Sequence, residues 1–230
     1  MQFFVDSLLS ALALISSFDP EVYLVVWTSL KVSAIATAIA AVVGVPLGVL
    51  FAVKRFPGKR ALVLILNTSM ALPTVVVGLF FYALLSRRGP LGHLGWLFTP
   101  QGIAAGLSVL ALPIMVNLTL AAIQGLDARL AITCRSLGAS VAQQIVLILR
   151  EARFAVTAAV VVAFGRVVSE VGIAMMLGGN IKGFTRTMTT AIALETSKGE
   201  FELALALGIF LLAVAFLVNA MLFLVQRPRV

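Results

Sequence analysis

The sequence predicts an all-α polytopic membrane protein with about five transmembrane helices and a short N-terminal surface helix. Three observations carry that expectation. Apolar residues make up 61% of the 230 and charged residues only 11%, whereas a soluble domain averages about 45–50% and about 25%. The mean hydropathy is +1.13, and the apolar residues gather into five runs that reach the length of about 20 residues a bilayer requires. The formal net charge of +8 comes from basic residues in short loops beside those runs. That placement fits membrane topology and gives no continuous face for nucleic acid.

Residues 1–18 form the first unit. Phe4, Leu8, Leu12 and Ile15 line one side at helical spacing, and Asp6, Ser10 and Ser17 line the other, as in a helix lying on the membrane surface or against a neighbouring subunit. No positive stretch precedes the apolar run, so a cleavable signal peptide is not expected. Asp19-Pro20 closes this unit, and Pro20 suits the start of the next helix. Residues 19–230 are read as one transmembrane domain.

The first span covers residues 21–53, longer than a bilayer needs, so it tilts or projects. Lys31 lies inside it, and Gly44, Pro46 and Gly48 are expected to loosen its second half. Lys54, Arg55, Lys59 and Arg60 then form a compact basic loop, an inside signal, with Pro57-Gly58 as its turn. The second span, 61–85, is expected to be distorted at Pro73 and Gly78. A loop rich in turn formers follows and is placed outside. The third span, 101–123, contains Pro113 and Asn117, and the fourth, 154–177, carries Arg166 and Glu170. Residues 181–201 are polar but hold a helical run over 188–194, read as a partly buried segment at the outer mouth. The fifth span is 203–225, and Arg227 and Arg229 close the chain inside. This arrangement puts ten Lys and Arg inside, five outside and two in spans. The N-terminus is therefore placed outside and the C-terminus in the cytoplasm.

Residues 127–153 are the longest polar interval, and they are patterned. Leu130, Cys134, Leu137, Val141, Ile145 and Ile148 recur at steps of three and four, one face of a helix broken only at Leu137-Gly138-Ala139-Ser140. Gly138 suits a position just past a helix end and Ser140 suits a cap, so the interval reads helix, turn, helix. Arg129, Arg135, Arg150 and Arg153 surround the turn. A basic amphipathic loop in so apolar a chain reads as a cytoplasmic docking surface.

The run RSLGAS, with Ile148 ten residues after Gly138, resembles the permease signature of binding-protein-dependent ABC importers. That pattern is Glu-Ala-Ala, three residues, Gly, nine residues, Ile, any residue, Leu-Pro. The chain keeps the Gly and the Ile. It has Ile132-Thr133-Cys134 for the opening triplet and Arg150-Glu151 for the closing pair, so no contact of the family's Glu is carried over. Residues 165–208 are similar to the oxyanion-import branch, most of all to tungstate permeases. The resemblance implies the type I importer permease fold and a homodimer around one central path. It also implies a cytoplasmic ATP-binding subunit, which the turn at Arg135, Leu137, Gly138, Ala139 and Ser140 contacts, and an extracytoplasmic binding protein. The implied cargo is tungstate, with molybdate a close alternative and sulfate or phosphate a weaker one.

Arg166 and Glu170 are four apart and can pair on one helix face. In a span they are either a pathway or gating pair or a clasp between helices. Lys31 either attracts an anion or snorkels to the interface. Thr187 and Thr189, with Thr185 and Thr190, offer hydroxyls for an oxyanion, or else cap and turn the chain. Enzymatic chemistry is not expected: His93 is the sole histidine, and no nucleophile elbow, metal cluster or phosphate-binding GxxxxGK[ST] loop occurs. No cofactor is expected, and ATP must be hydrolysed by another subunit. The rival readings are a channel or ion-coupled transporter, in which the scarcity of intramembrane carboxylates, with Glu170 the main one, disfavours proton coupling, and a membrane-embedded structural subunit.

Overall fold

The structure is a computed structural model that describes residues 2–54 and 56–225; the side chains of residues 2–6, Leu8, Ala128, Ala131, Ile132, Arg135, Val141 and Val225 lie outside the described set. The sequence positions Phe4, Asp6, Leu8, Arg55, Arg227 and Arg229 used above therefore fall outside it, as does the Arg135 side chain. Every regular element among the described residues is helical. Helix α1 (Gln2–Ser16) lies against α11 (Phe201–Val225), with Ser7 and Ala11 buried. Tyr23 donates its hydroxyl to the Ile15 carbonyl and stacks on Phe18.

Helix α2 (Pro20–Val53) begins with a full cap. Asp19 accepts from the Glu21 and Val22 N–H groups at 2.8 and 3.3 Å, which satisfies two donors that a helix start leaves free. At 34 residues the helix is about 50 Å long. It runs unbroken through Pro46, and its glycines do the opposite of loosening it. A Cβ on Gly44 would lie 2.8 Å from the Met115 Cβ, and one on Gly48 would lie 2.6 Å from the Thr119 Cβ. The pair brings α2 onto α5 (Pro100–Gln124), as small residues one turn apart do in membrane helices. Val32, Ala36, Ala40, Ala111 and Met115 continue this seam into the main core.

The second and fourth spans are broken rather than merely distorted. Helices α3 (Lys59–Met70) and α4 (Thr74–Leu85) meet at 99°, and α8 (Arg153–Val168) and α9 (Gly172–Gly178) at 60°. Pro73 lies in the first break, where its ring and missing N–H prevent the helix from continuing. Gly78, expected as a second distortion, is instead a contact point packed under Met176. Among the described residues, helices α2, α5 and α11 are each long and apolar enough to cross a membrane, and the number reaches five if each bent pair makes one span.

Helices α6 (Ala128–Ser136) and α7 (Val141–Glu151) sit between α5 and α8 at what we term the loop end of the bundle. A 3-10 turn at Gly92–Leu94 and α10 (Met188–Lys198) sit toward the far end. The latter segment is more buried than its polarity implied: Met188, Thr189, Thr190, Ala191 and Glu195 are all in the interior.

Candidate functional site

Two constellations stand out, one at the loop end and one midway through the bundle. At the loop end, the backbone closes the turn as the residue types require. Gly138 has φ +72, and the Ala139 N–H reaches back to the Cys134 carbonyl at 3.0 Å, the pattern of a helix stopped by a left-handed glycine. Ser140 then starts α7 with a reciprocal cap: its Oγ accepts from the Gln143 N–H, and the Gln143 Oε1 accepts from the Ser140 N–H at 2.8 Å. Gln144 donates to the Ala139 carbonyl at 2.8 Å. Four consecutive residues are thereby held in one geometry while the Leu137 side chain stays free. Leu137 is 80% exposed, and Val146 and Leu147 are exposed beside it. The two helices enclose a cleft of about 690 Å³ lined by Cys134, Leu137, Gly138, Ala142 and Arg150 among others. An exposed apolar rim on a rigid turn is what a docking element needs.

Midway, Glu170 is the centre. Its side chain is only 4% exposed, and it sits in the break between α8 and α9. Oε2 accepts from Arg166 Nη1 at 2.7 Å, while Oε1 accepts from the Gly172 and Ile173 N–H groups at 2.9 and 3.4 Å. One carboxylate therefore joins the end of α8 to the start of α9 and neutralises the free donors there. Its own carbonyl accepts from Thr189 Oγ1 of α10 at 2.9 Å. The break in the second span stands alongside, since a Cβ on Gly172 would lie 3.1 Å from Val75 Cγ2 and 3.2 Å from Thr74 Oγ1. Arg166 is 40% exposed, so the cation reaches open space while the carboxylate does not.

The remaining sequence candidates separate. Thr187 caps α10 in a reciprocal pair with Thr190, and Thr185 donates to the Gly178 carbonyl and accepts from the Ile181 N–H. These hydroxyls are taken up by capping and turn bonds, and all four threonines are buried. Lys31 is exposed on α2, about 16 Å along the helix from Pro20, in a stripe with Trp27, Ile35 and Val42. It is not brought to Arg166 or Glu170.

Sequence reading missed a far-end network. Glu21 pairs with Lys182 at 2.7 Å and Arg186 at 3.5 Å; Arg186 also meets Glu195, which meets Lys198 at 3.2 Å. Ser29 of α2 accepts from the Met188 N–H at 2.6 Å. These bonds tie α10 to α2 across about 160 residues of sequence, and no local pattern announces such a distance. Asp19-Pro20-Glu21 was legible only as a helix start.

Three long apolar helices, two bent helix pairs, one of them joined at its break by the Arg166–Glu170 ion pair, and a capped helix–turn–helix between α5 and α8 define the membrane component of a transporter. The chain belongs to the family of binding-protein-dependent transport system inner membrane components, which residues 44–229 match. It is 39% identical to a tungstate uptake system permease protein of Peptoclostridium acidaminophilum, over 99% of this chain and 100% of that one. It is 40% identical to the corresponding Campylobacter jejuni protein, over 95% and 92%. The fold is similar to that of the membrane chain in inward-facing MetNI methionine ABC transporter structures, with a TM-score of 0.74, 20% identity, and coverage of 91% and 97%.

Proposed function

We propose that this chain is the permease of a tungstate importer: a homodimer in the cytoplasmic membrane, fed by an extracytoplasmic binding protein and driven by a cytoplasmic ATP-binding subunit. The full-length similarity to tungstate uptake permeases supports the cargo. Molybdate is of nearly the same size and charge and is the alternative cargo.

The observation that carries the mechanism is the turn 137–140, capped on both sides and apolar at its rim. A groove on the ATP-binding subunit receives Leu137, Gly138, Ala139 and Ser140, with Arg135 beside them. Because the caps make α6 and α7 one rigid piece, closure of the ATPase displaces them together. The displacement passes through Ala152, buried at the junction of α7 and α8, to Arg166 and Glu170. ATP and the loaded binding protein each favour one of two packings of the same bundle. Arg166 then presents a cation to the passing dianion, and Glu170 holds that cation in place. Lys31, Thr187 and Thr189 have no direct part in this path: the first lies on another face, and the hydroxyls of the others are already bonded. The basic-residue asymmetry supports an outside N-terminus and a cytoplasmic C-terminus.

Gly138→Asp tests the coupling role. No atom lies within 4 Å of an added Cβ there, so the internal cost is only the left-handed backbone, about 1–2 kcal/mol. The variant inserts and folds, but it loses co-purification with the ATP-binding subunit or binding-protein-stimulated ATP hydrolysis in liposomes. Full complex formation and full tungstate uptake by this variant would refute the assignment. Uptake of molybdate but not tungstate would transfer the cargo to the alternative.

A further inference from the structure

At the loop end lies a cavity of about 710 Å³ lined by Phe56, Gly58, Lys59, Arg60, Val63 and Gln124. Its charge is one-sided. Lys54, Lys59 and Arg60 form no ion pair among the described residues, whereas the ion pairs found are those of Glu170 and of the far-end network. The Lys59 ammonium meets only the Lys54 carbonyl, at 3.4 Å. Apolar surface continues from the cavity into the membrane: Leu64 and Ile65 of α3 are 65% and 60% exposed, and Leu50 and Val53 of α2 are exposed as well. Lys54, which caps the end of α2, also lines a second cleft of about 450 Å³. Its other lining groups are the apolar side chains of α2 residues 45–53 and Ile145 and Leu149 of α7.

We propose that this cavity seats the headgroup of an anionic phospholipid, its phosphodiester on Lys59 and Arg60 and its acyl chains along the exposed apolar side chains of α2 and α3. Unpaired cations at a cavity that opens onto apolar helix surface match an amphipathic anion. A free inorganic anion would leave the apolar part unused. An acidic protein partner would leave exposed apolar helix beside it that belongs in lipid. The inference rests on residues 54–60 lying at the cytoplasmic leaflet, as proposed above. Cysteine labelling reads that orientation separately, so failure of the lipid site and failure of the topology are distinguishable.

The test is native mass spectrometry of the full-length permease equilibrated with equal amounts of dioleoyl phosphatidylglycerol and dioleoyl phosphatidylcholine. The wild type retains phosphatidylglycerol preferentially. Each cation removed lowers that preference about fivefold, and Lys59→Gln/Arg60→Gln together lower it about 25-fold. Arg87→Gln/Arg88→Gln, which removes equal charge from the loop between α4 and α5, leaves it unchanged. Should the first variant unfold, Lys59→Arg/Arg60→Lys keeps the charge and must keep the preference. Three results overturn the proposal: no preference in the wild type, an equal fall in both charge-removing variants, or full displacement of the lipid by millimolar inorganic phosphate. Protection of Lys59 from acetylation in a lipid-free complex, by the ATPase or a second copy, overturns it too.

Discussion

Gly48 lies where α2 meets α5 too closely for a side chain, and replacing it tests how α2 is held. A methyl group there would sit 2.6 Å from the Thr119 Cβ, 2.9 Å from its Cγ2 and 2.9 Å from the Val116 carbonyl oxygen. Carbon atoms rest at about 3.5–4.0 Å, so α2 and α5 must part by about 1 Å or Thr119 must shift. Thr119 is fully buried and Val116 contributes backbone, so neither yields as a free side-chain end would. Overpacking of this kind costs about 1–3 kcal/mol, which for a chain of this length corresponds to a fall in Tm of about 2–12 °C. Gly208 of α11 is the control, because nothing lies within 4 Å of a Cβ built there. Gly208→Ala should gain about 0.5–1 kcal/mol from the better helix former. Thermal unfolding of both variants in the same lipid nanodiscs separates helix propensity from packing. Equal stability of Gly48→Ala and Gly208→Ala would refute the tight α2–α5 seam.

Three further outcomes are expected. Glu170→Gln removes the partner of Arg166 and should cost about 1–3 kcal/mol; this is below the about 3–5 of a fully buried pair, because the Arg166 side chain is 40% exposed. Arg166→Gln/Glu170→Gln should recover part of that loss in thermal unfolding, and a double mutant equal to the sum of the singles would show that the two act apart. Ser140→Ala should destabilise α7 by about 1 kcal/mol, seen as faster hydrogen exchange confined to its first turns; unchanged exchange would remove the cap from the coupling argument. With Cys134 replaced, a cysteine at Lys59 should resist a membrane-impermeant outside reagent and one at His93 should react. The reverse pattern would invert the topology.

The turn at 137–140 is legible in the sequence because its bonds span at most five residues. A glycine that can take a positive φ and a serine three residues before a glutamine carry that geometry in their own chemistry. The Arg166–Glu170 pair was readable for the same reason, since a separation of four places both on one helix face. The five apolar runs likewise follow from length and composition alone.

What lay beyond the sequence was direction. Helices α2 and α5 are apolar on all sides, so no amphipathic stripe marks which face meets protein and which meets lipid. Gly44 and Gly48 look like helix weakeners until Met115 and Thr119 are seen against them. The face that carries Lys31 is set only by the orientation of α2, which places it on an exposed stripe with Trp27 and Ile35. The threonines at 185–190 look like an anion cradle until Gly178, Thr190 and Glu170 take up their bonds. The breaks of 99° and 60° also needed tertiary partners: Pro73 permits a bend, but the packing of α4 on α9 decides its angle. Sequence by itself determined the apolar runs, from composition and length, and the capped turn and the local ion pair, because each of these depends on residues a few positions apart. Only the tertiary structure decided which polar groups remain free, because distant helices in a uniformly apolar bundle choose their contacts by shape.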